Sequence, residues 1–298
     1  MSAIEVSHVT KSFADRVVVN DLSFSVDPGE MFGLIGPNGA GKTTTIRMVM
    51  DIIKPDSGTV SILGKKLGED IKNRLGYMPE ERGLYKKLKV IESIVYLASL
   101  KGMDGQLARQ KAEQLLDRTG LLNSKNKKVE ELSKGMGQII QLIVTLIHDP
   151  EILILDEPFS GLDPVNTRLV KAILADLRNQ NRAIVLSTHM MNQVEELCDR
   201  ILMVNRGQAV LYGDLDRIKS KYRGNSILLK AKDRPGEIPG VSRTNPSKGH
   251  VELVLEPGTT PKQVLEYLVE RGTTIDRFEI VTPSLDEIFV RQVSKEYE

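Results

Sequence analysis

Two kinds of hydrophobic spacing divide the chain. Near its start, IEVSHVTKSF and RVVVNDLSFSV read as half-buried strands, and a PGE turn leads into the short apolar run MFGLIG. A helical pattern follows from Lys42 to Ile53 and ends at the turn residues KPDSG. TVSILG predicts another strand, whereas RLGYMPEERGLY carries too many Gly, Pro and charged positions to predict a regular element. From Val90 to His148 the spacing becomes three and four: Ile91, Ile94, Val95 and Ala98, then Ala112, Leu115 and Leu116. This predicts a helical insert over about residues 84–148. EILILDEP and RAIVLSTH return to aliphatic runs with polar C-terminal ends, the pattern of buried parallel strands that deliver side chains to a site.

Beyond Tyr222 the pattern changes again. KDRPGEIPG and SRTNPSKGH read as loops around the short strands ILLKA, VELVLE and FEIV. TTPKQVLEYLVERG predicts a helix with Thr260 as N-cap, Pro261 at its first position and Gly272 past its end, and Ser284 to Glu287 offers a capping box. The expected division is a larger α/β domain over residues 1–221 and a small α+β domain over 222–298.

Composition changes this picture little. The net charge of +1, from 41 Lys plus Arg against 40 Asp plus Glu, gives no global field for nucleic acid or anionic membrane. MSAIEVSHVT lacks the features of a signal peptide, and the most apolar neighbourhood, Ile139 to Leu155, is interrupted well short of the roughly 20 apolar residues of a membrane helix. A membrane role would therefore need a partner that supplies the span. Cys198 is the only cysteine, so no intrachain disulfide forms, which fits a reducing cytosol.

The chemistry concentrates in two places. Gly36-Pro37-Asn38-Gly39-Ala40-Gly41-Lys42-Thr43 has the spacing of a phosphate loop between strand and helix, with Thr44 next in the helix. Its glycines let backbone N–H groups face a phosphate, Lys42 is placed to bridge the β- and γ-phosphates, and the Thr43 hydroxyl can ligate Mg²⁺. Asp156 ends an apolar strand, where a buried carboxylate needs compensation, so it is a candidate Mg²⁺ ligand; Glu157 beside it can polarise an attacking water.

Between these motifs, Leu132-Ser133-Lys134-Gly135-Met136-Gly137-Gln138 resembles the signature segment of ATP-binding cassette (ABC) ATPases, usually LSGGQ. Ser160-Gly161-Leu162-Asp163 is similar to that family's D-loop, and Ser187-Thr188-His189 to its switch histidine. The resemblance implies a phosphate-loop NTPase fold of ABC type: an α/β core with an antiparallel β subdomain and a helical insert, followed by the small α+β domain. It implies ATP and Mg²⁺ as cofactors. Phe13 would stack on adenine, Ser133, the Gly135 backbone and Asp163 would meet nucleotide held by a second copy, and His189 would contact the γ-phosphate.

Lys134 and Met136 depart from the usual signature, and Glu80 stands where the family usually has Gln, which makes it a further candidate metal ligand. These departures and the ending PSLDEIFV resemble the stand-alone ATPase subunits of ABC-2-type exporters. The resemblance implies a head-to-tail homodimer, a separate polytopic membrane permease, no nucleic-acid partner, and a place on the cytoplasmic face of the membrane. The alternative is an ABC ATPase gating a ribosome or nucleic-acid interaction; the single phosphate loop and the lack of a heptad run weigh against it.

Overall fold

The alternating residues at the start of the chain bury one face of an antiparallel sheet. β1 (Ile4–Phe13) pairs with β2 (Arg16–Val26) and, on its other side, with β4 (Ser57–Ile62). Ile4, Val6, Val9, Val19, Leu22, Val26 and Ile62 form its inner face. The structure is a computed structural model that describes residues 1–81, 83–222, 226–231, 236–247 and 249–295. It folds as two units, Met1–Leu215 and Asp216–Glu298.

The central sheet of the first unit has the order β5-β6-β7-β3-β8-β9. β3 (Met31–Ile35), β5 (Leu75–Met78), β6 (Ile152–Asp156), β7 (Ala183–Thr188) and β8 (Arg200–Asn205) run parallel, and β9 (Gln208–Asp214) closes one edge antiparallel. Every residue of β3, β6 and β7 is buried, so their unbroken aliphatic runs reflect burial on both faces. These three strands are neighbours. Their C-terminal ends therefore bring the phosphate loop, Asp156-Glu157 and Thr188-His189 to one edge of the sheet.

Three local expectations are corrected. Leu75–Met78 is a strand where a polar connection was expected: Leu75 and Met78 are fully buried, each worth about 1.5–3 kcal/mol of apolar burial, which outweighs a weak strand former such as Gly76. The helix after the phosphate loop, α1 (Lys42–Val49), ends before Ile53 because Asp51 turns left-handed at φ 55° and the amides of Ile52 and Ile53 both fold back onto the Arg47 carbonyl. SRTNPSKGH contains most of a strand, described below.

The helical insert comprises α3 (Val90–Ser99), α4 (Gly105–Arg118), two short 3₁₀ turns and α5 (Lys134–Leu146), around a core that includes Ile91, Ile94, Ala112, Leu116, Ile140 and Ile143. A single turn, α2 (Glu69–Lys72), precedes β5; α6 (Pro164–Asn179) follows β6, and α7 (Met191–Leu197) follows β7. α8 (Leu215–Lys221) begins where the first unit ends.

The second unit is a four-stranded antiparallel sheet of order β11-β12-β10-β13, from β10 (Ser226–Ala231), β11 (Val241–Ser247), β12 (His250–Leu255) and β13 (Ile275–Ile280). β11 falls mostly in SRTNPSKGH, which was expected as a loop, and it contains Pro246. It lies at the sheet edge, where a residue without an N–H is tolerated. α9 (Pro261–Glu270) packs Val264 and Leu268 into a core with Ile227, Leu229, Leu253 and Leu255. Its capping box joins Thr260 and Gln263, and a second joins Ser284 and Glu287 at the head of α10 (Leu285–Lys295). Residues 232–235 and Lys248 of the expected loops lie outside the described residues. Among the described residues no helix is long and apolar enough to cross a membrane.

Candidate functional site

The phosphate loop takes a shape that side chains would obstruct. Gly36 has φ 150°, and a Cβ there would lie 2.1 Å from the Val204 carbonyl oxygen; Gly41 has φ 109°, and its Cβ would lie 2.7 Å from that of Val18. Both positions need glycine for conformation and close approach together. No side chain caps the start of α1, so the first amides of the helix remain available to an anion.

A cleft of about 230 Å³ opens over this loop, lined by Val18, Asn38, Gly39, Gly41, Lys42, Thr43, Thr44, Glu80, Asp156 and Glu157. Lys42 is 7% exposed and its Nζ donates to the carbonyls of Gly36 at 2.8 Å and Pro37 at 3.2 Å. Burial pushes its pKa below the ordinary lysine value, against the pull of Glu157, Asp156 and Glu80. The ammonium is thus held among acceptors that a phosphate could replace.

Asp156 is 1% exposed. Its Oδ1 accepts from Ser187 Oγ at 2.7 Å and its Oδ2 from Thr43 Oγ1 at 3.1 Å. Burial raises its pKa despite both hydroxyls, and the neighbouring Glu157 adds to the rise. Glu157 sits in the left-handed region at φ 50°, a conformation that costs a non-glycine residue on the order of 1–3 kcal/mol. Its backbone and side chain are both held: the Glu157 amide donates to the Ser187 carbonyl at 2.8 Å, and its carbonyl accepts from Gln138 Nε2 at 3.1 Å. Oε2 accepts from Thr188 Oγ1 at 2.9 Å, and Oε1 meets the His189 amide at 2.9 Å and His189 Nδ1 at 2.7 Å.

The remaining sequence candidates lie elsewhere. Ser133 caps α5, its Oγ accepting from the Met136 amide at 3.2 Å. Asp163 caps α6 in the same way, accepting from the Asn166 amide at 2.8 Å and from Asn166 Nδ2 at 2.7 Å, and the first of these bonds holds its pKa below the ordinary value. A Cβ on Gly135 would lie 3.4 Å from the Gly161 carbonyl and 4.0 Å from Asn166 Nδ2, so the starts of α5 and α6 form one surface. Neither Ser133, Gly135 nor Asp163 lines the cleft. Phe13 ends β1 with its ring 49% exposed and Lys11 Nζ 5.6 Å from the ring centre; it too stands outside the lining, where Val18 of the adjoining strand takes part.

Sequence reasoning gave no role to Gln138, Ser187 or Thr188, which hold the two acids by backbone and side chain. Ser187 and Thr188 could have been found: they end the strand adjacent to β6, and the pairing puts Ser187 opposite Asp156.

Comparison with known proteins agrees with this architecture. The family model described as ABC transporter matches residues 19–160, and one described as the C-terminal domain of DrrA1-3-like ATP-binding proteins matches residues 213–293. The chain is 40% identical over 298 residues to the ABC transporter ATP-binding protein YhaQ of Bacillus subtilis, covering 99% of this chain and 100% of that one. It is 34% identical over 303 residues to the Nod factor export ATP-binding protein I of a Rhizobium species, covering 99% and 98% of the two chains. A solved ATP-binding subunit of an ABC transporter superposes with a TM-score of 0.69 at 30% identity, covering 74% of this chain and 93% of that one. With the phosphate loop, paired acids and signature surface in place, the chain belongs to the ATP-binding, ATP-hydrolysing subunits of ABC transporters.

Proposed function

We propose that the chain is a motor subunit that closes head to tail on a second copy around two MgATP and drives a separate polytopic permease, exporting its cargo from the cytoplasm. The observation that carries this reading is the split between the cleft and the α5–α6 surface. The cleft gathers Lys42, Thr43, Glu80, Asp156 and Glu157, whereas Ser133, Gly135 and Asp163 stand at helix starts outside it. Export follows from likeness to the Nod factor export protein. The subunit would sit at the inner membrane face through its permease, with residues 1–221 as the ATPase domain and 222–298 as an accessory domain.

In this reading Lys42 exchanges its two carbonyl acceptors for the β- and γ-phosphate oxygens, a charge-assisted contact. Asn38, Gly39, Ala40, Gly41 and Thr44 contribute backbone and hydroxyl groups around the phosphates, and the exposed ring of Phe13 offers a face to adenine. The Thr43 hydroxyl and the Asp156 carboxylate, 3.1 Å apart, with Glu80 on the same wall, form an all-oxygen donor set that suits a hard cation. Mg²⁺, when bound, neutralises charge developing across the β- and γ-phosphates. Glu157 would take the proton of the attacking water, for which Oε2, accepting only from Thr188 Oγ1, keeps an acceptor site.

The test is capture from detergent-solubilised membranes with tagged Glu157→Gln chain as bait. An integral membrane protein should be recovered in fixed ratio, and its reconstitution with wild-type chain should raise ATP turnover. Recovery of ribosomes or nucleic acid in its place would overturn the permease reading.

A further inference from the structure

α5 carries a buried polar stripe in an otherwise apolar sequence. Gln138, Gln141 and Thr145 are 3%, 4% and 3% exposed, and at spacings of three and four they share one face of the helix. His148 continues the line in the turn that ends the helix. Each end of the stripe grips a segment that leads to the cleft. Gln138 Nε2 donates to the carbonyls of Glu157 at 3.1 Å and Pro158 at 3.3 Å. His148 Nε2 meets the Leu75 carbonyl at 2.9 Å, and a Cβ on Gly76 would lie 2.7 Å from the Thr145 carbonyl, so β5 is drawn hard against the helix.

Between them, Gln141 Nε2 donates to the carbonyls of Pro79 at 2.7 Å and Glu81 at 3.4 Å, the residues on either side of Glu80. Both acceptors are main-chain carbonyls, so only the amide NH₂ can face them, and the orientation of the side chain is fixed by chemistry. Pro79 has no N–H with which to tie the loop itself, which makes these carbonyls its handle. Gln141 Oε1 is buried with no partner among the described residues. An apolar side chain would fill this space and remove the unpaired Oε1, but it would leave the Pro79 and Glu81 carbonyls without this donor, so the amide is not explained by packing alone.

We propose that Gln141 is a positioning residue for ATP hydrolysis: from the helix that begins at the signature, its amide fixes the backbone on both sides of Glu80 and so sets where that carboxylate meets the cleft. The inference rests on the reading of Glu80 as part of the metal wall. It ties the cleft loop and the α5–α6 surface into one body. A shift of the helix start against a second subunit is then transmitted to the Glu80 loop through Gln141, beside the contacts that His148 and Thr145 make with β5.

Two variants of the full chain test this. Gln141→Met keeps length and removes the donor; Gln141→Glu keeps shape and replaces the donor with an acceptor, guarding against a folding defect specific to one of them. Hydrogen exchange over residues 78–85 should rise about tenfold in both, with β3 and β7 unchanged. The Mg²⁺ concentration for half-maximal ATPase should move as it does in Glu80→Ala, and adding Gln141→Met to Glu80→Ala should move it no further. Unchanged exchange in both variants overturns the proposal, as does a Mg²⁺ shift that adds in full to that of Glu80→Ala. If exchange rises while Glu80→Ala alone leaves the Mg²⁺ titration where it was, the metal reading of Glu80 fails and the hold of Gln141 on its loop stands.

Discussion

The cleft and the α5–α6 surface use similar residues in opposite ways. In the cleft, Lys42 and Asp156 are buried, carry pKa values displaced against their charged forms, and are held by groups that nucleotide could replace. On the other surface, Ser133 and Asp163 are exposed, and each caps a helix. The first region pays in stability for chemistry; the second is stable by itself and presents helix starts and a small residue, Gly135, to whatever meets it. The cleft is therefore costly without a phosphate, while the signature surface needs no ligand to hold its shape.

Substitutions in the cleft should act most strongly. Lys42→Ala should weaken ATP binding by about a hundredfold or more, since it removes a buried charge that neutralises the β- and γ-phosphates. Equilibrium titration with a fluorescent nucleotide measures this. Glu157→Gln should separate binding from chemistry: affinity persists, turnover falls by roughly 10²–10⁴-fold, and an ATP-bound dimer accumulates on a sizing column. Wild-type turnover in Glu157→Gln would sink the assignment of the base.

A mixed dimer asks whether the two regions belong to one site. One subunit carries Lys42→Ala and the other Gly135→Asp, which adds a side chain and a charge where backbone should meet the γ-phosphate. With sites shared between chains, the intact phosphate loop of the second subunit faces the intact signature of the first, and one ATP per dimer should be occluded against a chase of unlabelled nucleotide. Neither homodimer should occlude any. With sites formed within one chain, both are broken and the mixed dimer occludes none.

What the sequence disclosed follows the same divide. The phosphate loop and Asp156-Glu157 were legible because their chemistry is local: a glycine-rich loop between strand and helix, and acids at a strand end. β5 was missed because its burial depends on β6 and α5, both distant in sequence. β11 was missed because Pro246 is acceptable only at a sheet edge, and edges are a property of the tertiary fold. The roles of Gln138 and Gln141 were hidden in a helix whose apolar period was clear. The signal that could have found them was the spacing of its few polar residues, 138, 141, 145 and 148, along one side.

The smallest predicted effect contrasts two aspartates with opposite shifts. Burial raises the Asp156 pKa above its ordinary 3.8, so between the two values the folded chain holds the proton more tightly than the unfolded chain does. Its stability therefore falls as pH rises through that window, and at neutral pH the ionised carboxylate carries the full penalty. Asp163 is the reverse: the Asn166 amide lowers its pKa, so its contribution is present above 3.8 and is lost as pH falls through the lower, folded value. In thermal unfolding at neutral pH without ATP or Mg²⁺, Asp156→Asn should raise the midpoint by about 2 °C, since an amide can still meet the Ser187 and Thr43 hydroxyls. Asp163→Ala should lower it by about 2 °C through loss of a helix cap. The gain from Asp156→Asn should shrink as the medium is made acidic enough to protonate the wild-type carboxyl. Saturating MgATP should reverse the order for Asp156, stabilising wild type well above Asp156→Asn, because nucleotide and cation bind the folded state with the carboxylate and much more weakly without it. A wild-type chain that stays more stable than Asp156→Asn in the absence of any ligand would show that Asp156 serves the fold, and the contrast between the two regions would lose its physical basis.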